Sequence, residues 1–277
     1  MRQLVVTIAL LTCILGSATS LAATFTFKDP KGDDKGPGYY TYPTDAVYIP
    51  GSFDMTQVRV REKGKNVEFK VTIAAPIEDP WNSKSWNGNG FSIQFIQIYL
   101  DLDHTKDSGA TKALPGINIM FPPESAWDRV VLISPQPSSR VQSEIDIKAP
   151  DVKDKIIIPK VTRAQGNTFL AVVPVEQLGG SLPDGFGIQV IMQSNEGFPA
   201  PTDLLTRKVN EYNGQHRFGG GNDYDCDPHV MDILVAPAAG GKEEIQGQYD
   251  ILKKYTCDED EAKWVLAVVP MVYPQAK

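Results

Sequence analysis

The sequence predicts an all-β protein of the sandwich class, and two observations lead to this prediction. Short stretches in which apolar and polar residues alternate recur along the chain, and turns rich in glycine and proline separate them. This alternation is the period of a half-buried strand, and about ten strands at such spacing are typical of a β-sandwich. Strands do not alternate with long helices, so a parallel α/β fold is not expected.

Residues 1–22 are predicted to be a secretory signal peptide. Arg2 supplies the positive start, the apolar run from Leu4 to Leu15 is too short to span a bilayer, and small residues follow around Ala22. Residues 23–277 are then expected to form a single domain, with two small domains as the alternative. The protein is expected to be secreted, periplasmic or at the cell surface, with no membrane span after processing.

The stretches that follow the acidic opening segment show the clearest alternation. Met55–Arg61 and Val67–Ile73 are predicted to pair through a turn at Gly64–Asn66. Phe91–Leu102 is the most apolar stretch and is expected in the middle of a sheet. Further predicted elements are strands at 47–54, 129–134, 141–147, 155–162, 168–173, 186–193, 230–235 and 264–272, a helical turn at 175–178 and one short helix at 243–254.

The charge and the cysteine content exclude several classes of function. A formal net charge of −7 disfavours nucleic acid and anionic lipid as partners. Processing leaves Cys226 and Cys257, which predict one disulfide in an oxidising compartment, with two buried free thiols as the alternative. The bond would close a loop of roughly thirty residues and contribute about 3 kcal/mol. The chain has no Cys-x-x-Cys pair, so c-type haem attachment, zinc ribbons and thioredoxin chemistry lack their signature.

The opening turn from Asp29 to Gly38 is a candidate cation site. Asp29, Asp33 and Asp34 lie within six residues of one another, and glycines and prolines between and after them prevent a helix. Clustered carboxylates repel one another unless a cation or hydrogen-bond donors neutralise them. Calcium is the first candidate because it prefers several oxygen ligands from a flexible loop. The spacing does not match an EF-hand loop, and a solvated turn is the alternative reading.

A second acidic group surrounds Cys226 late in the chain. Asp223, Asp225 and Asp227 are the predicted metal ligands there, and we hypothesise that they share one calcium ion with the opening turn. A further acidic turn at Asp101–Gly109 resembles half an EF-hand loop but has Lys112 where the closing glutamate belongs, so a surface turn is favoured, with a second cation site as the alternative. The chain has no nucleophile-elbow, zinc-protease or phosphate-binding motif, and no catalytic role is predicted.

Aromatic residues outside the predicted core are candidate ligand-binding residues. Trp81 and Trp86 lie in a polar loop, where they either stack on a sugar ring or fold back to cap the sandwich. Tyr40 lies in a segment where tyrosines alternate with Thr41, so one face is expected to be exposed. Haem ligation through Met231 and His229 is a less favoured alternative, because a buried methionine on a strand explains the same pattern.

Several of these segments resemble one known family. The acidic opening and its tyrosines are similar to the start of the C-terminal module of glucodextranase, which also ends some archaeal pullulanase-like glycosidases. The segments that carry the resemblance are Asp29–Thr44, Pro50–Asp54, Pro80–Asn82, Asn87–Gln94, Ile98–Asp101, Leu114–Asn118, Trp127, Arg217–Asp223 and Asp227–Asp232. The chain departs from the family pattern at Ser83–Trp86, an insertion that alters the Trp81 loop.

The resemblance implies a fold and a class of function. It implies an immunoglobulin-like or jelly-roll β-sandwich, related to family 9 carbohydrate-binding modules and to DOMON-like domains. It also implies a non-catalytic, surface-associated module that carries calcium and binds a polysaccharide or a cell-envelope glycan. The alternatives are a structural surface protein that assembles with itself through calcium, recruitment by a separate glycosidase, and a haem-binding electron carrier.

Overall fold

The computed structural model describes residues 23–82, 84, 88–235 and 242–274, and the predicted signal peptide lies outside them. Within those residues the chain forms twelve β-strands and two α-helices. The strands are β1 (Thr24–Lys28), β2 (Met55–Lys63), β3 (Asn66–Ile73), β4 (Gln94–Asp101), β5 (Ile119–Met120), β6 (Arg129–Ile133), β7 (Ile156–Ile157), β8 (Val161–Gln165), β9 (Thr168–Pro174), β10 (Gly187–Ser194), β11 (Asp232–Ile233) and β12 (Ala267–Val268). The helices are α1 (Ser138–Lys148) and α2 (Lys242–Leu252).

The strands form two five-stranded sheets, which confirms the predicted all-β sandwich. The first sheet is antiparallel throughout and has the order β1-β2-β3-β9-β8. The second has the order β11-β10-β4-β6-β7, in which only β6 and β7 run parallel. β5 and β12 form a small parallel pair outside these sheets.

The hydrophobic core lies between the two sheets. Alternate residues of the first sheet, such as Val58, Phe69 and Phe169, pack in one buried cluster with Ile98 of β4 and Val190 of β10. β4 lies in the centre of its sheet, as predicted, and is buried along its whole length, as is β10. The other side of the second sheet is covered by a second buried cluster, to which α1 and the loops around Trp127 contribute.

The prediction of a strand at 141–147 is wrong, because this stretch lies in α1. Val141, Ile145 and Ile147 fit an alternating pattern in the sequence, but only Val141 and Ile145 are buried, and they are four residues apart. Ile147 is 70% exposed. Ion pairs at helical spacing support the helix: Glu144 pairs with Arg140 at 2.8 Å and with Lys148 at 2.7 Å.

One further predicted strand is absent from the structure, and others are shorter than predicted. The stretch at 47–54 forms turns, the stretch at 155–162 contains β7 and the start of β8, and only two residues of 264–272 pair as β12. The helical turn at Val175–Leu178 and the short helix α2 are confirmed. Across the described residues, no helix combines the length and the apolar composition needed to cross a membrane.

β1 was not predicted, and it is the strand that positions the opening acidic turn. Phe25 and Phe27 alternate with threonines and pack on Phe186 with ring centroids 5.0 and 6.2 Å away. β1 pairs with β2 along its whole length. The backbone N–H of Asp29 then continues the pairing to the carbonyl of Thr56 at 3.1 Å. This holds the start of the acidic turn beside the start of β2.

A buried carboxylate cage as a candidate metal centre

Four aspartates from distant parts of the sequence meet at the end of the sandwich where β1 ends and β2 begins. Asp29 follows β1, Asp33 lies in the opening turn, Asp54 precedes β2, and Asp232 begins β11. One carboxylate oxygen from each of Asp29, Asp33 and Asp232 lies within 4.8 Å of the other two. Asp54 adjoins this group through the hydrogen bond that it accepts from the Gly32 N–H at 2.9 Å. We call these four side chains the carboxylate cage.

Backbone donors fix three of the four carboxylates. Asp29 Oδ1 accepts a hydrogen bond from the Val235 N–H at 2.8 Å, and Asp232 Oδ2 accepts one from the Met55 N–H at 2.5 Å. Five buried oxygens have no hydrogen-bond partner in the described protein, namely Asp29 Oδ2, Asp33 Oδ1, Asp33 Oδ2, Asp54 Oδ1 and Asp232 Oδ1. Buried carboxylate oxygens without donors are costly unless a cation neutralises them.

The electrostatics of the cage agree with this requirement. Burial, reinforced by the charges of Asp54 and Asp34, raises the pKa of Asp33 to about 8. Burial and the charge of Asp34 raise the pKa of Asp54 to about 7. Burial and neighbouring carboxylates raise the pKa values of Asp29 and Asp232 well above their usual range. Without a bound cation, the four groups therefore cannot all ionise at neutral pH at low cost.

Helix α2 is hydrogen-bonded to the opening turn through Gln248. The Gln248 side chain is fully buried, and its amide nitrogen donates to the carbonyl of Asp33 and, at 3.3 Å each, to the carbonyls of Gly36 and Met231. Its amide oxygen accepts from the Ile233 N–H at 2.8 Å. One glutamine thus ties the turn to β11, so that the cage is held by both segments.

Gly36 is required where the turn meets β11. Its φ of +54° lies in the left-handed region, and a Cβ atom there would overlap the Tyr40 ring and lie 2.7 Å from the carbonyl of Val230. The Gly36 N–H donates to the Met231 carbonyl at 2.8 Å. The glycines noted in the sequence therefore permit close packing as well as a tight turn.

The predicted metal ligands fall into two groups in the structure. Asp29 and Asp33 belong to the cage, and Asp34 lies next to it, where its carboxylate accepts a hydrogen bond from the Tyr42 hydroxyl. Burial raises the pKa of Asp34 above its ordinary value. The late segment contributes Asp232, rather than the residues around Cys226, to this centre.

Asp223, Asp225 and Asp227 have other surroundings. Asp223 is exposed, and Asp225 forms an ion pair with Lys208. Asp227 is buried and accepts a hydrogen bond from the Tyr40 hydroxyl at 3.2 Å. Among the described residues, none of these three carboxylates belongs to the group of close carboxylate oxygens formed by Asp29, Asp33 and Asp232.

Asp232 and Asp54 carried a weaker signal in the sequence. Asp232 lies in the apolar stretch Val230–Leu234, and Asp54 directly follows Phe53, so both are acids in segments that the pattern places in the core. An acid in such a segment needs a compensating partner. That rule could have identified both residues, but not their proximity to the opening turn.

A second acidic group is already satisfied by hydrogen bonds. Asp101, Asp103 and Asp128 lie close together, but they accept hydrogen bonds from the backbone N–H groups of His104, Thr105 and Leu102 at 2.7–2.9 Å. This matches the favoured interpretation of the segment as a hydrogen-bonded surface turn.

The predicted disulfide is present. Cys226 and Cys257 are bonded, with a Cα–Cα distance of 5.7 Å and a sequence separation of 31. The bond connects the late acidic segment to the chain that follows α2. The same late segment pairs with the opening segment through the Thr41–Gly219 bridge. The disulfide therefore ties the late segment to the chain after α2, and backbone hydrogen bonds tie the same late segment to the opening segment.

The Trp81 side chain forms the centre of an aromatic and charged surface. Its half-buried ring meets Tyr48 and His216 edge-on, with centroids 6.2 and 5.6 Å away. The Arg207 guanidinium lies 5.8 Å from the Trp81 ring centre, a cation–π distance. Arg207 is itself held by a 3.2 Å ion pair with Glu196 and by hydrogen bonds to the Tyr48 hydroxyl and the His216 carbonyl. Trp81 is therefore a rigidly supported ring.

The other two predicted ligand-binding residues have different outcomes. Trp86 lies outside the described residues. Tyr40 is 2% exposed, which corrects the expectation that it presents its ring to a ligand. Its hydroxyl donates to the Pro228 carbonyl at 2.8 Å, so it joins the opening segment to the late segment. Tyr39, at 48% exposed, is the outward-facing ring of this pair.

Comparison with known protein families gives one match. The sequence model of the C-terminal binding module, SLH-like, of glucodextranase matches residues 24–270. This range contains every strand described above and all four aspartates of the cage. A search of the curated proteins finds no match.

Proposed function

Because this chain belongs to the family of C-terminal, SLH-like binding modules of glucodextranase, we propose that it is a calcium-stabilised module that binds a polysaccharide or a cell-envelope glycan. A family of binding modules suggests a non-catalytic role in carbohydrate binding. The SLH-like character fits an extracellular or cell-surface location, and the disulfide supports export to an oxidising compartment. The calcium ion and the glycan-binding surface are argued below.

The carboxylate cage supports calcium in preference to other cations. All of its side-chain donors are oxygens, whereas zinc sites use histidine and cysteine. Ligand oxygens within 4.8 Å of one another are compatible with Ca–O distances of about 2.3–2.6 Å. Magnesium keeps several of its waters and is seldom held by an all-protein cage. Five unpartnered buried oxygens are the observation that carries this proposal.

The position of the cage favours a role within one chain. It joins the end of β1, the opening turn, the start of β2 and β11, so an ion there would stabilise the fold rather than a contact between copies. The structure offers no specific support for calcium-driven assembly. His229 and Met231, the residues considered for haem, are both buried, and His229 Nδ1 accepts a hydrogen bond from the Val209 N–H at 3.1 Å.

Calcium binding can be tested directly by calorimetric titration of the protein after chelator treatment. We expect one tight calcium site and weaker binding of magnesium, because only calcium suits a largely dehydrated oxygen cage. Calcium at about 1000 times its Kd should add about 4 kcal/mol to the free energy of unfolding and raise Tm. A titration without heat, together with an unchanged Tm in calcium, would contradict the proposal.

Trp81 supports a glycan-binding surface in this proposal. It offers an apolar ring next to charged groups that can bind hydroxyls, the combination that carbohydrate recognition requires. Trp81→Ala is expected to weaken binding to the recognised polysaccharide by roughly tenfold, as measured by affinity electrophoresis on a polysaccharide panel. Trp264→Ala is the matched control, because it removes another half-buried tryptophan from a different segment. Equal losses in the two variants would show that Trp81 acts through stability alone.

A further inference from the structure

The outward face of the first sheet carries a row of cations in direct cross-strand register. Arg59 of β2 lies opposite Lys70 of β3, Lys70 lies opposite Leu170 of β9, and Leu170 lies opposite Arg163 of β8. The side chains of Arg59, Lys70 and Leu170 point away from the core, because the residues on either side of each, such as Phe69, are buried in it, and Ala164 beside Arg163 packs against the same core. We call the row formed by Arg59, Lys70, Leu170 and Arg163 the basic row.

The basic row is not neutralised by the protein. In the described part of the chain, no carboxylate lies within 4.0 Å of the charged groups of Arg59, Lys70 or Arg163. Glu68, on the next row, is 3.7 Å from Lys63 instead. Like charges directly opposite each other destabilise a sheet. Such a row in a chain of net charge −7 therefore indicates a binding role rather than a contribution to stability.

A second row of uncharged polar side chains runs beside the first. Gln57, Thr72, Thr168 and Gln165 are in register across β2, β3, β9 and β8. Both rows line one open concavity of about 390 Å³ on the sheet. This surface therefore combines cations, hydroxyl and amide groups, and the half-buried apolar side chain of Leu170.

We propose that this concavity binds an acidic polysaccharide whose sugar carboxylates, as in uronates, pair with the basic row. The sugar hydroxyls would bond to the neighbouring amide and hydroxyl row. Strands lie about 4.8 Å apart, so Arg59 and Lys70 are adjacent and Arg163 lies about 10 Å beyond Lys70. This spacing suits an extended polymer with repeated charges. The proposal rests on the proposed function and adds the charge class of the glycan and a second surface for it.

The lining favours a glycan over other polyanions. Single-stranded nucleic acid is bound by stacking its bases on aromatic side chains, and none of the described residues that line the concavity is aromatic. The concavity instead has one row of cations and one row of hydroxyl and amide groups. This arrangement matches a molecule that carries many hydroxyls and regularly spaced carboxylates.

Binding of short oligogalacturonates by the full chain tests this inference by calorimetry at a fixed free-calcium concentration. Neutral gluco-oligosaccharides, polyglutamate and a single-stranded oligonucleotide serve as comparison ligands. We expect oligogalacturonates to bind more tightly than these three and to bind more weakly as NaCl is raised, because screening weakens exposed ion pairs. The variant Arg59→Gln/Lys70→Gln/Arg163→Gln should lose roughly tenfold or more in affinity.

A second triple variant controls for the loss of positive charge. Lys112→Gln/Lys153→Gln/Lys254→Gln removes the same charge from exposed lysines outside the concavity and should bind as the unmodified protein does. Equal losses in the two triple variants, or equally tight binding of polyglutamate or the oligonucleotide, would overturn the inference. Binding of neutral glycans alone would overturn it and leave the proposed function standing. Failure of every glycan to bind would overturn the proposed function as well.

Discussion

Asp33→Asn is expected to raise the free energy of unfolding in calcium-free buffer and to lower it when calcium is present. Neither carboxylate oxygen of Asp33 has a hydrogen-bond partner, so the substitution removes charge without removing a hydrogen bond. In calcium-free buffer at pH 8–9 the gain should be on the order of 2 kcal/mol, because a buried charge beside three carboxylates is lost. With calcium, the variant should lose most of the about 4 kcal/mol that saturating ion contributes.

The dependence of the free energy of unfolding on pH is an independent test of the repulsion among the cage carboxylates. The pKa values of Asp33 and Asp54 are raised to about 8 and about 7, so the calcium-free fold binds more protons than the unfolded chain does. A raised carboxyl pKa stabilises the fold fully below the unfolded pKa, and this contribution is lost as pH rises through the folded pKa. Calcium-free protein should therefore become progressively less stable from about pH 4 to about pH 8, and Asp33→Asn should reduce that decline.

Urea denaturation in chelator and in calcium, across this pH range, measures both effects. Asp151→Asn is the control, since Asp151 is an exposed aspartate outside the cage and its substitution changes the net charge equally. The control should follow the unmodified protein in both buffers. An Asp33→Asn variant that is less stable in both buffers would show that the Asp33 carboxylate has a stabilising role independent of calcium.

Removal of the disulfide is expected to have the other large effect on stability. Cys226→Ala/Cys257→Ala should lower the free energy of unfolding by about 3 kcal/mol, because the unfolded chain is no longer restricted by a closed loop. The separation of 31 residues between the cysteines sets this magnitude. Alanine is preferred to serine because Cys226 is fully buried and a serine hydroxyl there would need a partner.

The measurement is chemical denaturation with and without a thiol reductant. Reductant should lower the midpoint of the unmodified protein toward that of the double variant and leave the variant unchanged. The calcium affinity of the variant should change little, since neither cysteine belongs to the cage. An unchanged midpoint in the double variant would mean that the loop is already restricted in the unfolded chain.

Local sequence patterns predicted most of the fold. They failed where one pattern was compatible with both a strand and a helix. The alternation in β2 and β3 and the apolar run of β4 were sufficient to place these strands. Alternation was misleading in α1, where the contacts between residues four apart, and not the period of two, determine the conformation. Short strands such as β7 and β12 depend on partners far away in the sequence, which periodicity does not show.

The candidate site was predicted in part for a similar reason. Asp29 and Asp33 are close in the sequence, so their clustering was visible. Asp54 and Asp232 each stand alone in an apolar context, and only the pairing of β1 with β2 and the position of β11 bring them to the cage. The exposure of individual side chains was the least accurate prediction. Tyr40 was expected to be exposed, but a segment nearly two hundred residues further along the chain buries it.

The long sequence separation within the cage has a kinetic consequence. Asp29 accepts a hydrogen bond from Val235, 206 residues away, so the cage requires that segments from the two ends of the described chain come together. Contacts of such separation form late, because chain closure must come first. If the cage forms after the folding transition state, a cation bound there would slow unfolding and leave the folding rate nearly unchanged. The calcium concentration would then determine the lifetime of the folded state rather than the rate of folding.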